Sequence, residues 1–357
     1  MKNFLLFAVS IFVCIVITEF LFVLYEKAVY SIEYKFPGDI IDLQKLNYNE
    51  STISRKQPDG EFRILSFGDS FCHATVSPAY SYNGVLQSRL RDMGVPARVV
   101  NLGEPISSIP QYLATMDNWI PRIDHDMILV NIFAVNDLGE LSRNELEDGG
   151  QLNSILGDLF VDIQTGRKRL DHIPRMFPLR LLDYLTTLYY YFRDGAFVHR
   201  TVEPPYTLAH GPVTPDAFDH VADKDLAVCA VDSREMHRPA LDRVARLARV
   251  LSDFKARGKR VLIVISPGEI QINPALFQEA VARQKADPAR YDLHLPNTLV
   301  REAIQAVDPG LEIFDVTPLL RETFARGSNP YYPLDAHWNV LGNRLVGEAL
   351  ADRIGHP

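Results

Sequence analysis

From residue 61 onward, short apolar runs alternate with longer stretches whose apolar positions recur at helical spacing. "EFRILSFG", "ARVVNLG", "DMILVNIF", "KRVLIVIS" and "LEIFDV" are too short and too uniformly apolar for surface helices. They read as strands buried on both faces. Between them, "SYNGVLQSRLRDMG", "IPQYLATMDNWI", "RPALDRVARLARVLSDFKARG" and "PNTLVREAIQAV" read as helices, and "NVLGNRLVGEALADRI" closes the chain. Gly94 stands near the C-terminal end of the first. Leu241, Val244, Leu247 (or Ala248) and Leu251 lie on one face of the third. Strands alternating with helices imply a parallel sheet covered on both sides. The expected fold is α/β: a doubly wound, flavodoxin-like three-layer sandwich around a five-stranded parallel sheet.

Two regions depart from this rhythm. Phe4 to Tyr25 is apolar apart from small polar residues and Glu19, about the length of a membrane-spanning helix. Lys2 precedes it, and Glu26, Lys27, Glu33 and Lys35 follow with balanced charge, which favours a cytoplasmic N-terminus and an extracytoplasmic (periplasmic) remainder. A cleaved signal peptide is the alternative; the absence of a small-x-small site favours an uncleaved anchor. The expected organisation is an anchor and stalk over 1–36, a polar linker over 37–60, and one domain over 61–357. Between Leu138 and Arg238 the alternation stops. A structureless loop of that length is unusual, so a helical cap or lid is expected there. Its "LLDYLTTLYYYFRDGAF" cluster, with Tyr189, Tyr190 and Tyr191, suits helix packing better than sugar stacking.

Composition narrows the partners. The 357 residues are 47% hydrophobic, enough for one large core or two modest ones. Net charge is −8 and no run of Lys and Arg could track a phosphate backbone, so nucleic acid is not an expected partner. Cys14, Cys72 and Cys229 are odd in number, far apart and without CxxC spacing, so neither a disulfide framework nor a zinc site is indicated. In an exported domain only Cys72 and Cys229 could pair. No cofactor is expected.

Ligands of open parallel sheets bind beyond the carboxyl ends of the strands. Strand one delivers Gly68-Asp69-Ser70 there, strand two "NLGEPISS", and strand three Ala134 to Asp137. Past strand five comes "YYPLDAHWNVLGN", with Asp335 and His337. A Ser hydroxyl needs a base to become a nucleophile. Ser70 is the candidate nucleophile, His337 its base, and Asp335 the acid that orients the imidazole. An oxyanion hole could be built from the Ser70 amide, an amide of the loop after strand two, and the Asn136 side chain. This set fits acyl transfer from an ester to water or to another alcohol. Asp137 is expected to cap the next helix. Cys72 and His73 read as packing or rim residues. A metal site on His337 is disfavoured, because no second His lies at ligand spacing. The Gly-x-Ser-x-Gly elbow of another serine-esterase fold is absent.

From "SFGDSFCHATV", "VVNLGEP", the Asn136-Asp137 pair and "YYPLDAHWNVLGNRL", the chain resembles the SGNH (GDSL) hydrolases over Phe62 to Ile354, except the insert. The resemblance implies Ser70 as nucleophile, Asn136 as oxyanion donor, His337 as base and Asp335 as its orienting acid. Three positions depart from the family pattern. Ile106 stands where the second block has Gly, with Gly103 as the fallback donor; Ala134 replaces the Gly of GxND; and Asp335-Ala336-His337 is one residue shorter than Asp-x-x-His. The shorter spacing resembles that of proteins of the alginate-O-acetylation type. The resemblance implies a membrane-anchored esterase acting on an acyl ester or acylated glycan. One alternative is an O-acyltransferase acetylating an exported polysaccharide, served by an acyl-donating membrane partner. Another is a non-catalytic carbohydrate-binding relative.

Overall fold

In a computed structural model of the chain, residues 40–43, 48–50, 52–105, 107–139, 215–333 and 335–355 are described, with Ser10 and Ile17 upstream. The membrane helix expected over 4–25 and most of the expected cap lie outside the described residues. Among the described residues no helix is long and apolar enough to cross a membrane. The chain divides into two compact units, 1–38 with 147–200 and 39–146 with 201–357. All the elements named below belong to the second.

Five strands form the sheet: β3 (Phe62–Phe67), β4 (Ala97–Asn101), β5 (Met127–Phe133), β6 (Arg260–Ser266) and β7 (Glu312–Asp315). Every pairing is parallel, in the order β4-β3-β5-β6-β7. Counting only these strands, the order is 2-1-3-4-5, the flavodoxin-like arrangement. The central β5, Met-Ile-Leu-Val-Asn-Ile-Phe, is buried at every position, as a strand sandwiched between two helical layers must be. The winding reverses after β4. Right-handed crossovers therefore send helices to opposite faces. Tyr82–Asp92 (α2) packs on the closing helix Val340–Gly355 (α9). Arg238–Ala256 (α5) packs on Ile109–Trp119 (α3) and Leu295–Val307 (α7). The reversal puts the topological switch point, where ligands of such sheets bind, at the carboxyl ends of β3 and β5.

Within the linker expected over 37–60, the described residues are folded onto the domain. Ile40–Asp42 (β1) and Thr52–Ser54 (β2) form an antiparallel hairpin, and Ile41 and Leu43 are fully buried. The guanidinium of Arg63, only 1% exposed, fastens the hairpin to the sheet. It pairs with Glu61 and donates to the carbonyls of Ser54, Arg55, Lys56 and Asp124. A buried cation survives only with such a full set of partners. The outer edge of β4 is closed by side chains: Gln87 Oε1 accepts from Val99 N and Glu50 Oε2 from Asn101 N, each at 3.0 Å. The backbone donors of this edge strand are thus unavailable to another strand.

Three helices add to the expected pattern. Pro215–Val228 (α4) lies within the insert expected over 138–238; Pro274–Arg283 (α6) and Thr317–Ala325 (α8) follow later. α4 packs on α6 through Phe218, Ala222, Leu226, Leu276, Ala280 and Val281. Asp225 is buried on α4, and burial pushes its carboxyl up to about 7, against the opposing pull of Lys224. The unfolded value is about 3.9. Between those values the native state holds more protons than the unfolded chain, so stability falls as pH rises towards 7. Asp225→Asn, neutral throughout, removes that loss. At about 1.4 kcal/mol per pKa unit, the expected gain at pH 8 is up to about 4 kcal/mol, and clearly less at pH 5. Thermal denaturation at both pH values checks this; an equal shift at both would show that Asp225 is not held protonated.

Candidate active site

β3 ends at Phe67 and the chain turns through Gly68. A Cβ there would lie 2.9 Å from the Asn131 carbonyl oxygen on β5 and 2.8 Å from Cys72 Cβ, so only glycine permits this approach. Asp69 caps the one-turn helix Ser70–His73 (α1), its Oδ1 accepting from Phe71 N at 2.9 Å. The acid of Gly-Asp-Ser is therefore structural: it is 1% exposed and holds the turn. Ser70, the first residue of α1, is half-buried, and its amide has no acceptor among the described residues.

Asp335 and His337 sit on a tightly tied loop before α9. Tyr331 and Trp338 form an antiparallel bridge, Tyr332 N donates to His337 O at 3.0 Å, and Asp335 N donates to Tyr332 O at 3.2 Å. Asp335 Oδ1 accepts from the His337 amide at 3.1 Å and lies 2.6 Å from His337 Nδ1. His337 Nε2 lies 2.7 Å from Ser70 Oγ, across 267 residues of sequence. The Asp335 side chain is 7% exposed and that of His337 27%, so the acid is enclosed while the ring reaches the surface. Phe71 packs on both the His337 ring (5.3 Å between centroids) and Trp338 (4.7 Å), fixing the imidazole from below. With Nδ1–H directed at the carboxylate, Nε2 is left to accept the hydroxyl proton.

The expected oxyanion donors fare differently. Asn136 is in the first turn of a helix that starts at Ala134, directly after β5, and is half-buried. Its side chain has no hydrogen-bond partner among the described residues. Asp137 does not cap from in front of that helix. It sits inside the first turn, buried, and reaches back to Phe133 N at 3.1 Å while accepting from Tyr112 Oη at 3.2 Å. Gly103 is not a free donor: its amide is spent on Asn101 Oδ1 at 3.0 Å. A Cβ at Gly103 would lie 2.4 Å from His73 N, so the glycine serves close packing of the loop on α1. Ile106 lies outside the described residues. The same loop is tied to the Gly68–Ser70 turn by Glu104 N donating to Gly68 O at 3.0 Å.

Glu269, just past the carboxyl end of β6, is a further carboxyl at this sheet edge, and the strand-by-strand reading of the sequence passes over it. It is 6% exposed; Oε1 accepts from Asn273 Nδ2 at 3.0 Å and Asn329 Nδ2 at 3.2 Å, and Oε2 is buried without a partner. Burial pushes its carboxyl up, the two amides oppose this, and the negative charge of Asp335 adds to the rise. Cys72 and Cys229 are separate, buried free thiols. Burial raises the Cys72 thiol to about 11, which leaves it unreactive.

Residues 230–356 match a family model described as SGNH hydrolase-like domain, acetyltransferase AlgX. The matched stretch includes Asp335 and His337; Ser70 lies upstream of it. No curated protein matches the chain. Among solved structures, the acetylxylan esterase Axe2 from Geobacillus stearothermophilus is 12% identical, over 83% of this chain and 95% of that one, at a TM-score of 0.43. The acetyl xylan esterase AlAXEase is 12% identical over 82% and 100%, at 0.41. A member of the lipolytic protein G-D-S-L family from Veillonella parvula DSM 2008 is 14% identical over 81% and 96%, at 0.36. Likenesses this loose carry no functional weight. Over residues 230–356 the chain is similar to the SGNH hydrolase-like domain of that acetyltransferase family.

Proposed function

We propose that the protein is a serine-dependent acyl-ester enzyme in which Ser70, His337 and Asp335 act as a catalytic triad. The observation that carries this reading is the continuous relay from Asp335 Oδ1 through both nitrogens of His337 to Ser70 Oγ, at 2.6 and 2.7 Å. Ser70 Oγ attacks the ester carbonyl and its proton passes to His337 Nε2. Asp335 stabilises the imidazolium formed. The Ser70 amide and the Asn136 side chain steady the oxyanion. The tetrahedral intermediate collapses, His337 protonates the departing alkoxide, and an acyl-Ser70 remains. Attack by water, deprotonated by the same His337, releases the acid and restores the enzyme.

A second reading differs only in the last step: a sugar hydroxyl replaces water and an O-acylated glycan leaves. The match of residues 230–356 to an acetyltransferase-type SGNH domain favours it, as does the Asp335-x-His337 spacing inside that stretch. In both readings residues 4–25 anchor the chain and the domain works outside the cytoplasm. The transferase reading adds a membrane partner that delivers the acyl group.

The two are separated by partition of the acyl-enzyme. The purified protein is expected to turn over p-nitrophenyl acetate with a burst of one p-nitrophenol per active site. The assay is repeated with oligosaccharide acceptors, and products are read by mass spectrometry. Acetate alone, independent of acceptor, supports hydrolysis; acetylated sugar formed at the expense of acetate supports transfer. No turnover of acetyl or longer esters, with or without acceptor, would overturn both.

A further inference from the structure

The nucleophile turn is held from behind by residues that lie far from the triad in sequence. α1 is a single turn, and the residue that ends it, Ala74, has φ +67° and ψ 143°. That is a conformation glycine adopts freely and alanine resists. Such backbone persists only where the surroundings enforce it. Three amide side chains converge on the carbonyls beside it. Asn83 Nδ2 donates to Cys72 O at 3.2 Å, and Asn101 Nδ2 to His73 O at 3.3 Å. Asn49 Nδ2 donates to His73 O at 2.7 Å and to Val76 O at 3.2 Å, so this one amide bridges the chain before and after Ala74.

Asn49 belongs to the segment that carries the β1–β2 hairpin, and both its neighbours are anchored. Tyr48 Oη donates to Glu104 Oε1 at 2.6 Å and accepts from Trp119 Nε1 at 3.0 Å. Glu50 pairs with Arg98 at 2.7 Å and accepts the Asn101 amide at 3.0 Å. The Asn49 carbonyl also accepts from Asn101 Nδ2 at 3.5 Å. The amide is thus presented from a fixed base, and its position is imposed on the turn.

We infer that Asn49 is a positioning residue for the acyl-transfer chemistry. It latches the strained Ala74 turn and thereby holds Ser70 at hydrogen-bond distance from His337. The inference rests on Ser70 being the nucleophile. Without the latch, Ala74 relaxes to negative φ, α1 turns with it, and the Ser70–His337 contact lengthens. Small misplacements of reacting groups cost rate rather than binding. The segment upstream of the sheet is therefore part of the catalytic apparatus, although it touches no reacting atom.

The test is a cycle in the full chain, with p-nitrophenyl acetate as the probe. Asn49→Asp keeps the shape but cannot donate to either carbonyl. It is expected to lower kcat about tenfold or more, with KM and Tm little changed. Ala74→Gly alone is expected to leave kcat within about twofold, because glycine adopts the turn without strain. In the Ala74→Gly background, Asn49→Asp is expected to cost at least threefold less than in the wild-type background. A purely structural Asn49 would show the same loss in both backgrounds, or a loss that follows Tm, and either result overturns the inference. Wild-type kcat in Asn49→Asp overturns it as well. If that variant fails to fold, Asn49→Ala removes the amide without adding a charge and is read by the same criteria. Ser70→Ala is the control: if it stays active, the nucleophile assignment fails; if it is dead while Asn49→Asp is fully active, only the latch fails.

Discussion

Ser70→Ala abolishes ester turnover, lowering kcat by on the order of 10⁴–10⁶, while the protein remains folded. The size follows from the relay acting as a unit: in a serine triad on another fold, losing the nucleophile costs about as much as losing the whole triad. What survives comes from the oxyanion donors and substrate binding, and the Ala variant keeps its backbone amide at position 70. Stability is spared because Ser70 is half-buried and, among the described residues, its hydroxyl makes a single hydrogen bond, with His337 Nε2. Replacements of this kind usually stay within about 0.5 kcal/mol. The measurements are kcat on p-nitrophenyl acetate, the thermal transition, and labelling by an organophosphonate. The wild type is labelled at Ser70 alone and the variant not at all. Wild-type turnover in the variant, or phosphonate on another serine, removes Ser70 from the chemistry.

The sheet is legible in the sequence because each of its strands is a short apolar run between helical periodicities. Such a pattern has few packing solutions. The β1–β2 hairpin is not legible. Its strands have three residues each, too few for a period-two signal, and they sit in a polar stretch that reads as a linker. What makes the hairpin part of the domain is Arg63, a single cation in an apolar strand, whose carbonyl partners lie largely upstream of it. α6 was readable in principle: Asn273 caps it by accepting from Leu276 N at 3.2 Å, and Pro274 occupies its first position.

The Ser70–His337 pairing is legible only through topology. No local pattern joins residues 267 positions apart, but the rule that chemistry gathers at the carboxyl ends of parallel strands does. The same rule, applied to β6, leads to Glu269. Gly103 illustrates a different failure. Sequence reading assigns glycine a free amide near an oxyanion, whereas here the missing Cβ allows the loop to lie against His73 and the amide is already used. Asn49 left no sequence signal at all. Its role is set by the φ of Ala74 and the direction of two carbonyls, and both are properties of the folded chain.

Asp335→Asn tests whether the carboxylate orients the base or merely builds the loop. Asp335 Oδ1 receives two donors, the His337 amide and Nδ1–H. An Asn side chain can still satisfy the backbone amide with its oxygen. It can also turn its NH2 towards Nδ1, which moves the imidazole proton to Nε2 and leaves nothing to accept from Ser70. The negative charge that stabilises the imidazolium is lost too. Catalysis should therefore fall by on the order of 10⁴, as the same exchange does in a serine triad on another fold. KM should change little, because the loop keeps its backbone bonds. His337→Ala removes the base outright and should be at least as damaging. The double variant should be no worse than the poorer single one, since residues acting as one unit do not contribute additively. The measurements are kcat and KM for both single variants and the pair. A loss below about tenfold for Asp335→Asn, or losses that multiply in the double variant, would reassign Asp335 to the loop and leave a Ser70–His337 dyad, whose general acid–base help alone is typically about 10²–10⁴.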